Sequence, residues 1–255
     1  LQRGEGRVPV ERLPYFGEQA ADYLKDFDAM VIVGTKAPVS FFAYPEKPSF
    51  LVADSTEIIN LADVRTDALD ALTRLADALD APAEPAVLQP YVVHALDEGP
   101  LDMVQMGKVL ANHLPERAIV ADEGATNGLG AFLFTGCARA HDWLTLTGGA
   151  IGMGLPVALG AAVACPDRKV VALQADGSAM YTPQALWTMV REEADVTVVL
   201  LNNSSYAILN IEMQRVGVAN PGAKAKALLD LSNPSIDLVS LARSIGMAAE
   251  KVDTV

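Results

Sequence analysis

Two apolar runs, Lys169 to Gln174 and Val196 to Leu201, flank a single helix-length stretch, and each run ends in a polar turn. Strand, helix and strand in that order, with strands too apolar to leave one face in water, call for parallel pairing under covering helices. The first run closes on Asp176-Gly177-Ser178 and the second on Asn202-Asn203. In an open parallel sheet both turns fall at the carboxyl ends of strands, where such sheets bind ligands. A carboxylate and a carboxamide are hard oxygen donors, and a Gly-Ser turn offers backbone N–H groups to an anion. A divalent metal with a diphosphate is the occupant that suits both.

The same alternation extends over the rest of the chain. Beyond residue 100 the pattern predicts a helix from Leu101 to Leu114, a strand from Ala118 to Asp122 and a helix after Ala125. A short strand at Trp143–Leu146, a helix from Gly154 to Ala164 and the strand at Lys169 follow. Then come a helix from Ser178 to about Glu193, the strand at Val196, and a helix from Tyr206 to Arg215. Gly217 to Lys226 reads as irregular, Ser235 to Ile245 as a helix closed by Gly246, and a strand begins near Glu250. Upstream, Pro14 to Lys25 has helical spacing, strands are expected at Ala29–Gly34, Ser49–Ala53 and near Glu57–Leu61, and Arg65 to Leu79 is helical. Pro82, Pro85, Pro90, Gly99 and Pro100 mark a linker between them. The expected division is therefore 1–81, a linker at 82–100, and 101–255.

Composition removes several alternatives. Nineteen basic against thirty-two acidic residues give a net charge of −13, which disfavours nucleic acid and anionic membranes as partners. Two cysteines outside any ligand spacing favour a reduced, cytoplasmic setting. The most apolar stretch, Ala150 to Cys165, is too short to span a bilayer and is broken by glycine and proline. The opening Leu1-Gln2-Arg3 carries neither an initiator Met nor a signal segment, so the chain reads as part of a longer one.

The DGS turn, the intervening helix and the paired Asn, with 24 residues between Gly177 and Asn202, resemble the thiamin-diphosphate motif of the 2-oxo acid decarboxylase and acetolactate synthase family. Ala175 stands where that family usually has Gly, a change that leaves Asp176 in place. The resemblance implies an α/β fold in which a parallel sheet flanked by helices, the diphosphate-binding domain, follows the second half of a Rossmann-like central domain. Residues 1–81 would be that central half, and 101–255 most of the binding domain, truncated at its end. It implies thiamin diphosphate and Mg²⁺ as cofactors, with FAD left open for the central segment. Decarboxylation or carboligation of 2-oxo acids is the implied activity, and a homodimer or homotetramer the implied assembly. The family's activating glutamate comes from an amino-terminal domain, so no catalytic residue is expected in this stretch, and the isolated stretch is expected to be inactive.

Carried over by position, the metal ligands would be Asp176, Asn203 and the backbone carbonyl of Ser205, with Gly177 and Ser178 beside the diphosphate. The glycine-rich run Thr147 to Pro156 resembles the segment that touches the aminopyrimidine ring: Gly149 would offer its carbonyl and Ile151 an N–H and an apolar wedge. Ala125 and Thr126 would meet the diphosphate through N–H groups at a helix start, although the adjacent Asp122-Glu123 pair opposes an anion unless directed elsewhere. Each feature has a plainer reading by itself: a helix cap at Asp176 or Ala125, an Asn turn, a helix-packing turn at the glycines. Their combination favours the cofactor site. Leu209 occupies the place of a glutamate found in the pyruvate decarboxylase branch, which suits a carboligase or, as the alternative, a benzoylformate decarboxylase-like enzyme of aryl 2-oxo acids. A non-catalytic cofactor-binding module is the remaining class.

Overall fold

The computed structural model describes residues 1–255, which form two compact units: Leu1–Pro9 with Val87–Val255, and Val10–Ala86. This division differs from the expected one at both edges. The larger unit claims the first residues through β1 (Gln2–Arg3), and it claims most of the stretch read as linker.

In the smaller unit α1 (Gly17–Leu24), β2 (Ala29–Val33), β3 (Glu57–Ala62) and α2 (Ala68–Ala78) follow in order, β2 and β3 pairing in parallel. Ala20, Leu24 and Leu51 make its small core. Asp67 starts α2 by accepting from the N–H groups of Leu69 and Asp70 at 3.0 and 3.1 Å, which satisfies two otherwise orphan donors. The strand expected at Ser49–Ala53 is reduced to one bridge between Val39 and Phe50. Pro48 has no N–H for a ladder, and Ala53 already closes a turn with Thr56. Two strands offer too little sheet to cover much: Val31, Ile58 and Ile59 stay exposed and α2 buries no residue.

The larger unit holds α3 (Met103–His113), β4 (Ile119–Glu123), α4 (Leu129–Thr135), β5 (His141–Thr145), α5 (Gly154–Ala164), β6 (Val170–Ala175) and α6 (Asp176–Ala179). It continues through α7 (Gln184–Arg191), β7 (Val196–Leu201), α8 (Ala207–Arg215), α9 (Ala223–Leu229) and α10 (Leu238–Ser244). Its sheet runs β1-β5-β4-β6-β7, parallel except for β1 at the edge. Period-two alternation sorts the core into two layers. Val120, Val171 and Leu173 pack with Met106, Phe132 and Trp143 on one face, while Ile119, Ala121, Val170 and Ala172 pack with Leu155, Leu186 and Met189 on the other. The result is the three-layer α/β architecture that the apolar runs imply. No helix is long and apolar enough to cross a membrane.

Three expectations change in detail. The helix expected from Ser178 to Glu193 breaks into α6 and α7, because Pro183 cannot continue a helix and instead starts the second. The segment read as irregular contains the start of α9, and the terminal strand shrinks to a bridge between Pro100 and Thr254. Gly246 does end α10 region in the left-handed conformation, at φ 92°. The Pro-rich stretch is fastened rather than free. Gln89 exchanges backbone hydrogen bonds with Gly6 and Arg7, Val92 N–H reaches Cys137 O at 2.9 Å, and Asn112 clasps both backbone groups of His94 at 2.8 and 2.9 Å.

Candidate cofactor site

Chain order and spatial order disagree at one point of the sheet. From β4 the chain moves to β5 on one side, then crosses to β6 on the other, which makes the carboxyl ends of β4 and β6 the topological switch point. The residues singled out by motif gather along this edge.

Asp176, at the end of β6, is only 7% exposed. Its Oδ1 accepts from Gly177 N–H at 2.8 Å, and its Oδ2 from Asn203 N–H at 3.2 Å and Ser204 N–H at 2.6 Å. The carboxylate thus ties the end of β6 to the turn after β7. A carboxylate oxygen takes two partners, so Oδ1 with one donor keeps room for a cation. Asn203 Oδ1 accepts from Ser205 N–H at 3.0 Å, while Ser205 Oγ donates to Leu229 O and accepts from Asn210 Nδ2. The three expected groups, a carboxylate, a carboxamide and a backbone carbonyl, are all oxygen donors, which suits Mg²⁺ in kind.

A small cleft opens beside Asp176, lined by Gly177, Met180, Asn202, Ser204, Tyr206, Leu231, Ile236 and Leu238. Of the expected ligands only Asp176 lines it. Asn203 and Ser205 lie in the bordering turn, one position out of step with Asn202 and Ser204. Gly177 is close-packed, since a Cβ there would come within 2.6 Å of the Tyr206 ring. Tyr206, Leu231 and Ile236 carried no motif, and only the fold brings them to this edge.

The glycine-rich run forms a separate wall after β5. Gly148, Gly149 and Gly152 have φ of 64°, 68° and 95°, a region that suits glycine, and Ile151 projects with 42% of its surface exposed. Glu123 at the end of β4 anchors the run, accepting from the N–H groups of Gly152 and Gly154. Thr182 Oγ1 fixes it from the other side through the Gly152 carbonyl at 2.8 Å. Here the conflict noted at Asp122-Glu123 resolves. Asp122 accepts from Gly124 N–H at 3.0 Å and Trp143 Nε1 at 3.2 Å, so both carboxylates turn into the protein and leave the turn's outer face to backbone. Ala125 stands exposed at φ 48° and Thr126 half-buried in a turn of 3-10 helix, Ala125–Gly128, where a full helix start was expected. Leu209 lies on α8, 43% exposed, and so is no core residue.

An open parallel sheet that collects oxygen ligands and positive-φ glycines at its switch point belongs to the α/β class that binds diphosphate cofactors. Residues 124–255, just over half of the chain, match the family of thiamine pyrophosphate enzymes, C-terminal TPP binding domain, and the chain belongs to that family. It is 50% identical, over all 255 residues, to 49% of a Mycobacterium tuberculosis protein named "Putative acetolactate synthase large subunit IlvX". It is 40% identical over 100 residues to a Mycobacterium avium "Alpha-keto-acid decarboxylase", covering 37% of this chain and 16% of that one. In fold it is similar to a Rhodococcus jostii thiamine diphosphate-dependent 4-hydroxybenzoylformate decarboxylase, with a TM-score of 0.72 and 24% identity over 94% of this chain and 47% of the other. The chain spans about half the length of the relatives that it matches along its whole length.

Proposed function

We propose that these residues form the diphosphate- and metal-binding part of a thiamin diphosphate- and Mg²⁺-dependent enzyme that decarboxylates 2-oxo acids and joins the product to a second carbonyl, as an acetolactate synthase does. The observation that carries this reading is the Asp176 carboxylate, which closes the DGS turn onto the turn after β7 beside an open cleft. Asp176, Asn203 and the Ser205 carbonyl would hold the metal. Gly177 and Ser178, with Ala125 and Thr126 across the switch point, would face the diphosphate, and Gly149 and Ile151 the ring. When bound, the cofactor supplies an electron sink for the pair released as CO₂ leaves. The chain's own part is to grip the phosphates through N–H groups, to orient the ring against Ile151 and to keep water from it.

Titration calorimetry with thiamin diphosphate, with and without Mg²⁺, tests this. Binding should require the metal, and Asp176→Asn should weaken it by about 10- to 100-fold. Metal-independent binding, or an unchanged Asp176→Asn variant, overturns the assignment. Self-association into a dimer or tetramer belongs to the same reading and is checked by sedimentation. The 255 residues alone should show no turnover, so CO₂ release from pyruvate or benzoylformate by that polypeptide would contradict it.

A second reading, decarboxylation of an aryl 2-oxo acid, is favoured by the apolar wall of Tyr206, Leu231, Ile236 and Leu238. Comparing the complete protein's rates with pyruvate and benzoylformate separates the two.

A further inference from the structure

We infer that Glu123 and Gln174 are positioning residues that lock the two walls of the cofactor site to each other, an inference that rests on the function proposed above. The two are register partners on β4 and β6, so they face each other directly across the switch point. Gln174 is fully buried and Glu123 is 3% exposed. One carboxylate oxygen of Glu123 accepts from Gly152 N–H, and the other from Gly154 N–H at 2.6 Å and from Gln174 Nε2 at 3.3 Å. The same Nε2 donates to Ser178 Oγ at 2.7 Å. A continuous path therefore runs from the DGS turn, through Ser178, Gln174 and Glu123, to the glycine run that presents Gly149 and Ile151.

Two physical features favour a positioning role over simple packing. The donors that hold the Glu123 carboxyl group are all neutral, and burying so polar a group costs more than an apolar pair filling the same strand positions. Gln174 adds to that cost. With Nε2 between two acceptors its amide can point only one way, which leaves Oε1 buried with no hydrogen-bond partner in the protein. What the pair restrains is the most freely jointed part of the site, a run with three positive-φ glycines. The pair thus sets where Gly149 and Ile151 stand relative to Ser178, and hence whether one ligand of fixed length can touch both walls at once.

The experiment measures two probes on the protein and on its Glu123→Gln and Gln174→Met variants. Mg²⁺ with inorganic diphosphate engages the DGS turn and the turn at Ala125 and Thr126 and makes no use of the glycine run, whereas Mg²⁺ with thiamin diphosphate needs the glycine run as well. At position 123 a carboxamide offers an N–H₂ where Gly152 or Gly154 needs an acceptor, so one clamp fails. The Glu123→Gln protein should bind thiamin diphosphate about tenfold or more weakly and inorganic diphosphate within about twofold of wild type, with its melting temperature little changed in the absence of ligand. Gln174→Met, which removes the unpaired acceptor, should keep or raise the melting temperature and still weaken thiamin diphosphate more than inorganic diphosphate. Wild-type affinity for thiamin diphosphate in both variants overturns the inference and leaves the cofactor assignment standing. So does an equal loss for both probes accompanied by a fall in melting temperature, the mark of a role in the fold alone. If Glu123→Gln does not fold, the ratio for Gln174→Met decides. Wild-type protein that binds neither probe removes the proposed function itself, and the inference with it.

Discussion

Gly154 has no room for a methyl group. A Cβ there would lie 2.8 Å from both Cβ and Oε2 of Glu123 and would collide with Gln174 Oε1. Gly154→Ala should therefore destabilise the protein by about 1–3 kcal/mol through forced displacement of that pair, seen as a drop of several degrees in melting temperature. A second residue makes stability depend on pH. His141 donates from Nδ1 to Arg139 O at 2.7 Å, and burial of its ring pushes its pKa down to about 4. The unfolded imidazole takes a proton near pH 6.5, but the folded one only near 4. Stability is thus full above about 6.5 and is lost as pH falls from there towards 4, by up to ~1.4 kcal/mol per pH unit. His141→Gln should flatten melting temperature against pH in that window; an unaltered slope would assign the loss elsewhere. At this scale Asp176 was legible from its neighbours in sequence, whereas Glu123 and Gln174 were not. They stand 51 residues apart, and only strand register makes them a pair.

Among the elements, α3 and α4 meet at closest range through glycine. A Cβ on Gly107 would approach Gly130 O at 2.5 Å, and one on Gly130 would overlap Met103 O. In an open helix Gly→Ala stabilises by roughly 0.5–1 kcal/mol. Here backbone blocks the methyl group and cannot swing aside as a flexible side chain would, so Gly130→Ala should be net destabilising by about 1–3 kcal/mol. Urea denaturation reads the sign directly, and a gain would mean that the helices separate at little cost. The strands of the larger unit were legible because unbroken apolar runs have few alternatives, and β4, β6 and β7 lie within a residue or so of their expected bounds. The division at Pro183 and the loss of a strand at Ser49–Ala53 were not. Both depend on a proline acting against an otherwise favourable pattern.

On the scale of the whole molecule, the larger unit is discontinuous in sequence. Arg3, on its edge strand, is 9% exposed, donates to Phe132 O at 2.7 Å and stacks its guanidinium 3.6 Å from the Phe132 ring centroid, where an aromatic face stabilises a cation. Its strand and the stretch from Val87 onward are joined by the bonds between Gln89 and residues 6 and 7. Replacing Val10–Ala86 by a short Gly-Ser connection should therefore leave a unit that unfolds cooperatively near the parent's transition, as circular dichroism would report. A broad, non-cooperative melt would show that the smaller unit is needed for the larger one to fold. Composition misled here because proline marks the absence of helix and strand, and says nothing about hydrogen bonds such as those from Asn112.

The pairing of Arg3 with His141 also has a consequence in time. A ribosome adds on the order of 5–20 residues per second, so the edge strand leaves it on the order of ten seconds or more before its partner exists. During that interval Arg3 has neither ladder nor ring to meet, while the smaller unit, which spans residues 10–86, has its full sequence available. Residues 10–86 should therefore settle before the edge strand that precedes them, with residues 1–9 waiting to be captured by a sheet made later.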